Sequence, residues 1–178
     1  LNGILVTGGD VGDFAVSSDS STVVYRADQD TDNTFEVYSV PIAGDVPTKL
    51  NETLVTGGNV SSLYRISPDS STVIYRESPD SSVEGDLYAV PASGGTPLHL
   101  GGGLLWYDAE ITSDGARVVY RADQDVDEVD EIYSALLATD RDGDTRGSGI
   151  RFQFNPAQLC RSLCTGRQQG KVRAGFRC

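Results

Sequence analysis

Ser67-Pro68-Asp69-Ser70-Ser71-Thr72-Val73-Ile74-Tyr75-Arg76 is the stretch from which the fold can be read. Its first half is a turn. The Asp69 carboxylate can bond the backbone two residues on, and Pro68 presets φ at a turn position. Its second half, Thr72-Val73-Ile74-Tyr75, is β-branched and aromatic, which suits a strand. The same text stands 50 residues earlier as Ser17-Ser18-Asp19-Ser20-Ser21-Thr22-Val23-Val24-Tyr25-Arg26. It returns 45 residues later as Thr112-Ser113-Asp114-Gly115-Ala116-Arg117-Val118-Val119-Tyr120-Arg121. A second tyrosine follows the first after 13 residues in every copy: Tyr38 after Tyr25, Tyr88 after Tyr75, Tyr133 after Tyr120. The linking segments repeat as well. Leu50-Asn51-Glu52-Thr53-Leu54-Val55-Thr56-Gly57-Gly58 restates Leu1-Asn2-Gly3-Ile4-Leu5-Val6-Thr7-Gly8-Gly9.

Each copy reads as four short strands. The first ends in Val16, Ile66 or Ile111 before the turn. The second is the Thr-Val-Val-Tyr-Arg segment, and an acidic loop follows it. The third is Glu36–Val40, Asp86–Val90 or Glu131–Ala135. Pro41 and Pro91 close it, because proline cannot donate to a ladder. The fourth is Thr48–Leu50 or Leu98–Leu100, and the third copy lacks its expected closing strand after Leu137. The periodicity inside a unit is near 2, which excludes helical repeats. A lone four-stranded sheet cannot bury both faces, so such units stack on neighbours. Four strands per repeat of this length predict an all-β fold of propeller type, with three four-stranded antiparallel blades in an incomplete ring. The blades are placed at about residues 10–55, 59–105 and 107–138, within a repeat region of 1–144.

Ser67-Pro68-Asp69-Ser70-Ser71-Thr72-Val73-Ile74-Tyr75, Gly85-Asp86-Leu87-Tyr88-Ala89-Val90 and Gly94-Gly95-Thr96-Pro97-Leu98-His99-Leu100 together resemble the TolB-like, WD40-like propeller repeat. The resemblance covers roughly residues 1 to 138. Two copies depart from it in carrying Ser rather than Gly after the turn aspartate. The resemblance implies a bacterial, extracytoplasmic protein, periplasmic or extracellular, and often a protein-binding module. It also implies kinship with the propellers that cap prolyl-oligopeptidase-type hydrolases.

Composition sets outer bounds. The 178 residues carry a net charge of −12, distributed unevenly. All 26 acidic residues lie at or before Asp144, against seven of the 14 basic ones, a net of −19. Such a body repels nucleic acid and anionic membrane surfaces and suits solubility and cation binding. No apolar run is long enough to span a membrane. Residues 145–178 hold the other seven basic residues, no acid, and all three cysteines: Cys160, Cys164 and Cys178. The expectation is an irregular basic tail, an altered reading frame or a junction to unrelated sequence. With no Met anywhere, the chain is read as a fragment whose natural start lies upstream, its three blades belonging to a longer propeller or associating through open blade edges.

Candidate chemistry is sparse. Asp28, Asp30 and Asp32, and again Asp123, Asp125 and Asp127, alternate as D-x-D-x-D, a spacing that can converge carboxylates on calcium. The plainer reading is a solvated charged hairpin, since the Gly and Glu of an EF-hand are missing. Asp140-Arg141-Asp142-Gly143-Asp144 begins like a calcium loop but meets Arg151 where a bidentate Glu is needed. Arg26, Arg76 and Arg121 are expected to pair with acids, for instance of the third strand. The recurring tyrosines are expected between blades with bonded hydroxyls. Trp106 and Tyr107 read as core. His99, the only histidine, stands beside the fourth strand with no nucleophile elbow. Asn51 and Asn59 open glycosylation sequons. No catalytic residue and no cofactor is expected. The function expected is a non-catalytic scaffold or protein-binding module with an unidentified protein partner. The rivals are the substrate-gating propeller of a serine peptidase and a calcium-stabilised structural or adhesive protein.

Overall fold

A computed structural model describes residues 1–79, 84–103, 108–125 and 129–137. Every regular element in it is a strand. No helix long and apolar enough to cross a membrane occurs among the described residues. The first sheet holds β1 (Val11–Val16), β2 (Thr22–Ala27), β3 (Glu36–Pro41) and β4 (Thr48–Lys49), in chain order. The second holds β5 (Asn59–Ile66), β6 (Thr72–Ser78), β7 (Asp86–Pro91) and β8 (Leu98–Gly101). The third holds β9 (Ala109–Ile111), β10 (Arg117–Ala122) and β11 (Glu131–Leu136). All pairings are antiparallel. These are three up-and-down propeller blades in an open array, with four, four and three described strands. A fourth strand of the third blade would fall after Leu137, outside the described residues.

The turn motif works as its residues predict. The Asp19 carboxylate accepts from the Ser17 hydroxyl at 2.6 Å and from the Ser21 backbone N–H at 3.0 Å. Ser17 Oγ in turn accepts from the Thr22 N–H at 2.9 Å. Asp69 and Asp114 repeat the pattern with Ser67 and Thr112. The residue after the aspartate is left-handed in each copy: Ser20 (φ 60), Ser70 (φ 64) and Gly115 (φ 71). Only glycine adopts that region without steric cost. The Ser-for-Gly departure therefore places strain in two turns and spares the third.

The 13-residue spacing of the tyrosines is a hairpin register. Tyr25 stands opposite Tyr38, Tyr75 opposite Tyr88, and Tyr120 opposite Tyr133. Opposed residues share a face, and the rings stack at centroid separations of 5.3, 5.4 and 5.7 Å. Tyr75–Tyr88 and Tyr120–Tyr133 lie on the face turned toward the preceding blade, here the leading face, and Tyr25–Tyr38 lies on the equivalent face of blade one, clustered with Val23, Ala27 and Val40. The opposite, trailing face carries Val24 and Val37 in blade one and Ile74 and Leu87 in blade two.

Two clusters knit the blades. Val24, Val37 and Leu50 of the first blade pack with Val60, Tyr64, Val73, Tyr75 and Val90 of the second. Leu63, Ile74, Leu87 and Leu100 of the second pack with Val118, Tyr120, Tyr133, Ala135 and Leu137 of the third. Each fully buried aliphatic contributes about 1.5–3 kcal/mol, so stacking supplies what a single sheet lacks. In the second blade the first strand is the element that reaches back. Val60 N–H in β5 donates to the Phe35 carbonyl at 2.8 Å, and Asn59 Oδ1 accepts from Phe35 N–H at 2.7 Å.

Candidate functional site

The blades present two rims. One carries the acidic loops after the second strands and the linking segments. The other carries the aspartate turns and the turns between third and fourth strands.

On the acidic rim, the first D-x-D-x-D loop does not converge. Asp28 is buried; its Oδ1 accepts from the Asp10 N–H at 2.5 Å and its Oδ2 from the Asn33 N–H at 2.9 Å. Those backbone bonds, led by the one from Asp10, hold its carboxyl below the ordinary carboxylate value. Asp28 is thus the brace of its own loop. Asp30 turns to Lys49, 2.7 Å away. Asp32 sits over the Gly8 turn. In the third copy, Asp123 and Asp125 each have partners of their own, and Asp127 lies outside the described residues. No group of three His, Cys, Asp or Glu placed to hold a metal occurs among the described residues. Asp140–Asp144, Trp106, Tyr107 and the three cysteines also lie outside them.

The same rim holds a clasp that the sequence analysis did not single out. Lys49 Nζ meets Glu36 at 2.7 Å, and Glu36 accepts from the Tyr38 hydroxyl at 2.8 Å. Burial pulls the Lys49 pKa down, but Asp30 and Glu36 outweigh it and the net displacement is upward. Asn51 completes the clasp. Its Oδ1 accepts from Val37 N–H at 2.9 Å, and the residue is buried, so the first sequon is structural. The second blade has a weaker version. His99 Nε2 stands 3.7 Å from Asp86 Oδ1, with its ring edge-on to Tyr88 at 5.2 Å. Nearby, burial pushes the Glu77 carboxyl up, helped by Asp86 and Glu52. In the third blade the Tyr133 hydroxyl donates to Glu131 at 2.7 Å. The acid and tyrosine recur in all three copies and a base joins them in the first two, a signal that sequence alignment of the copies contains once register pairs the third strand with the fourth.

The arginines pair with acids, but not chiefly with those of the third strand. Arg26 Nε meets Asp13 of β1 at 3.0 Å, and the guanidinium lies 4.2 Å from the Phe35 ring centroid. Arg121 meets Asp108, just ahead of β9, at 2.7 Å and Asp130, just ahead of β11, at 3.0 Å. The reason is face: Arg26 is directly opposite Asp13 in the β1–β2 register. Arg76 is buried.

On the turn rim, the aspartates are more acidic than usual. The Ser17 hydroxyl and the Ser21 N–H and hydroxyl draw Asp19 down to about 2, and Asp69 and Asp114 move the same way. Adjacent turns touch: the Asp19 N–H donates to Ser70 Oγ at 3.1 Å. Beside them, an open groove of about 510 Å³ runs between blades one and two. Thr22, Pro41, Val46, Ser70, Ser71 and Ser93 are among its lining residues. Its walls mix hydroxyls with exposed aliphatic surface, Val46 above all. This groove offers hydrogen bonds and apolar contact.

No protein-family model and no curated protein sequence matches the chain. Solved propellers do. The β-propeller domain of the Trilobed protease from Pyrococcus furiosus is similar at a TM-score of 0.54 and 12% identity, over 72% of this chain and 39% of that one. Prolyl oligopeptidase B from Galerina marginata is similar at 0.54 and 13% identity, over 76% of this chain and 22% of that one. A TolB from Agrobacterium tumefaciens aligns at 0.49 and 21% identity, over 72% of this chain and 43% of that one. The chain spans less than half the length of each. At these identities the likeness concerns the fold.

Proposed function

We propose that this chain is a non-catalytic propeller module that binds protein partners through its turn rim, in a bacterial extracytoplasmic protein. The observation behind it is the groove between blades one and two. It rests on two rigid, internally bonded aspartate turns, and rigid scaffolds that present loops are the usual setting for recognition. Its mixture of hydroxyl and aliphatic lining suits an extended peptide or a loop of a partner. The titratable groups of the opposite rim satisfy one another in the Lys49 clasp and the arginine pairs, which is a structural use. The extracytoplasmic setting rests on the resemblance of the repeat alone. Propeller peptidases share this fold, but fold does not bring activity with it.

A displayed peptide library panned against the full chain tests the reading. Enriched peptides should lose binding to Val46→Asp and Ser93→Arg and keep it with Ile132→Arg. Enrichment indifferent to both groove substitutions, or none at all, would defeat it. Turnover of any substrate in a panel of fluorogenic esters, peptides and glycosides would end the non-catalytic part.

A further inference from the structure

The copies differ at one pair of register positions on the trailing face, and the groove between blades one and two lies there. In the first copy Ser39 stands opposite Val24, and Thr48 opposite Ser39. The second copy holds Ala89 opposite Ile74, and Leu98 opposite Ala89. Ala89 belongs to the core cluster between the second and third blades, and Leu98 packs against it. That seam is filled with apolar side chains. The seam between blades one and two carries hydroxyls at the same positions, and both residues line the groove of about 510 Å³. Gly94 sets how closely the walls approach. A side chain there would meet Thr48 Cγ2 at 2.7 Å, so glycine lets the second blade's turn close onto β4.

Ser39 is the residue that marks this seam. Its counterpart in the third copy is Ser134, opposite Val119, whose hydroxyl accepts from Arg117 Nη1 at 3.4 Å. Its counterpart in the second copy, Ala89, has no hydroxyl to satisfy. Ser39 is only 4% exposed, lines the groove, and makes no side-chain hydrogen bond among the described residues. A buried hydroxyl without a partner costs free energy that an alanine would not. Its bonding capacity, one donor and two acceptor sites, is left for what enters the groove.

Charge narrows the occupant. Among the described residues that line the groove, Asp45 alone is charged. One of its oxygens accepts from the Val46 N–H at 2.7 Å, and the residue is exposed. The turn carboxylates of Asp19 and Asp69 stand next to the groove through Ser70 and Ser71. Their serine hydroxyls hold both below the ordinary carboxylate value, so both are ionised near neutral pH. A groove with carboxylates at its wall and its edge, and no cation in its lining, complements a positively charged segment. Pro41, Val46 and Ala92 add short apolar surface beside the hydroxyls, which suits an extended main chain with alternating side chains.

We propose that this seam recognises an extended segment of a partner protein that carries a lysine or arginine, with the Ser39 hydroxyl bonding the segment's main chain and Asp45 taking its basic side chain. The inference rests on the groove reading above and adds the anchor and the charge of the partner. Ser39 is a specificity residue here, not a support of the fold.

The experiment is a displayed library of random heptapeptides panned against the full chain, with synthetic copies of the enriched peptides titrated by fluorescence polarisation. Enriched peptides that depend on the groove, as judged by loss with Val46→Asp, should share a lysine or arginine at one fixed place. Ser39→Ala installs the residue of the second copy. It should weaken their binding about 3–10-fold, the worth of one neutral hydrogen bond, and leave the melting temperature unchanged or raised. Asp45→Asn keeps the bond to the Val46 N–H. It should erase the preference for a lysine peptide over its glutamine version, a preference that added salt should also weaken in the wild type. Groove-dependent peptides without a basic residue, or binding indifferent to Ser39→Ala, would overturn this inference and leave the groove reading standing. A melting temperature lowered by Ser39→Ala would overturn it too, since the hydroxyl would then serve the fold. Failure to enrich any groove-dependent peptide would overturn both.

Discussion

The trailing face of the second blade and that of the third are built from the same sequence pattern and end in opposite environments. Ile74 and Leu87 are enclosed by the third blade, while Val119 and Ile132 meet solvent. Alternation within a strand decides which face a side chain takes. It does not decide whether that face is covered, which depends on a neighbour. The difference teaches that the stability of this array resides between sheets, and that each blade's contribution depends on having a blade after it.

The largest effect follows directly. Leu87→Ala removes an enclosed side chain and should destabilise by about 2–5 kcal/mol, the range for buried Leu or Ile truncations. Ile132→Ala at the equivalent position should change stability by no more than about 0.5 kcal/mol when the chain is monomeric. Denaturant unfolding of both at high dilution measures the contrast. Equal losses would erase the distinction between the two faces.

The turns sharpen it on a smaller scale. Ser20→Gly should stabilise by about 0.5–1 kcal/mol, because it relieves a left-handed non-glycine residue. Gly115→Ala should destabilise by about 1–2 kcal/mol for the opposite reason. Thermal melts of the two variants should move in opposite directions.

A third prediction concerns pH and the interior of the second blade. Burial raises the folded-state pKa of Glu77. The folded state then binds its proton more tightly than the unfolded state does, so stability falls as pH rises through that window. Glu77→Gln should be more stable than the wild type at neutral pH and equal to it below the unfolded value of 4.5. The turn aspartates act with the reverse sign. Asp19 is lowered to about 2 from 3.8, so its contribution is present above 3.8 and lost as pH falls toward 2. Asp19→Asn should flatten that acid limb. Stability profiles from pH 2 to 8, a range spanning those values, check both.

The smallest expected effect is that of calcium. Asp28 is committed to backbone N–H groups and Asp30 to Lys49. Calcium in place of chelator should leave the melting temperature unchanged. A clear upward shift would return the acidic loops to the list of sites.

Much of the fold was legible because three copies repeat one pattern. The aspartate turn, the β-branched second strand and the closing prolines each have a local cause, and all three fell where the structure has them. The tyrosine spacing announced a hairpin register that the structure realises as stacked pairs. The arginine partners were not legible, because Arg26 chooses Asp13 across a strand pair, not along the chain. Nor was the Lys49 clasp, which joins residues from three segments. The partners of the first acidic loop were not legible either: a row of carboxylates in sequence does not say that backbone N–H groups will take Asp28 and Lys49 will take Asp30.

The account stands most directly on which side chains are covered. Hydroxyl-radical footprinting with mass spectrometry reads this residue by residue. At a dilution where the chain is monomeric, Phe14 and Ile132 should be modified readily, while Tyr64 and Leu87 at the equivalent positions stay protected. Modification of Tyr64 and Leu87 at rates matching their counterparts would contradict the stacked-blade account.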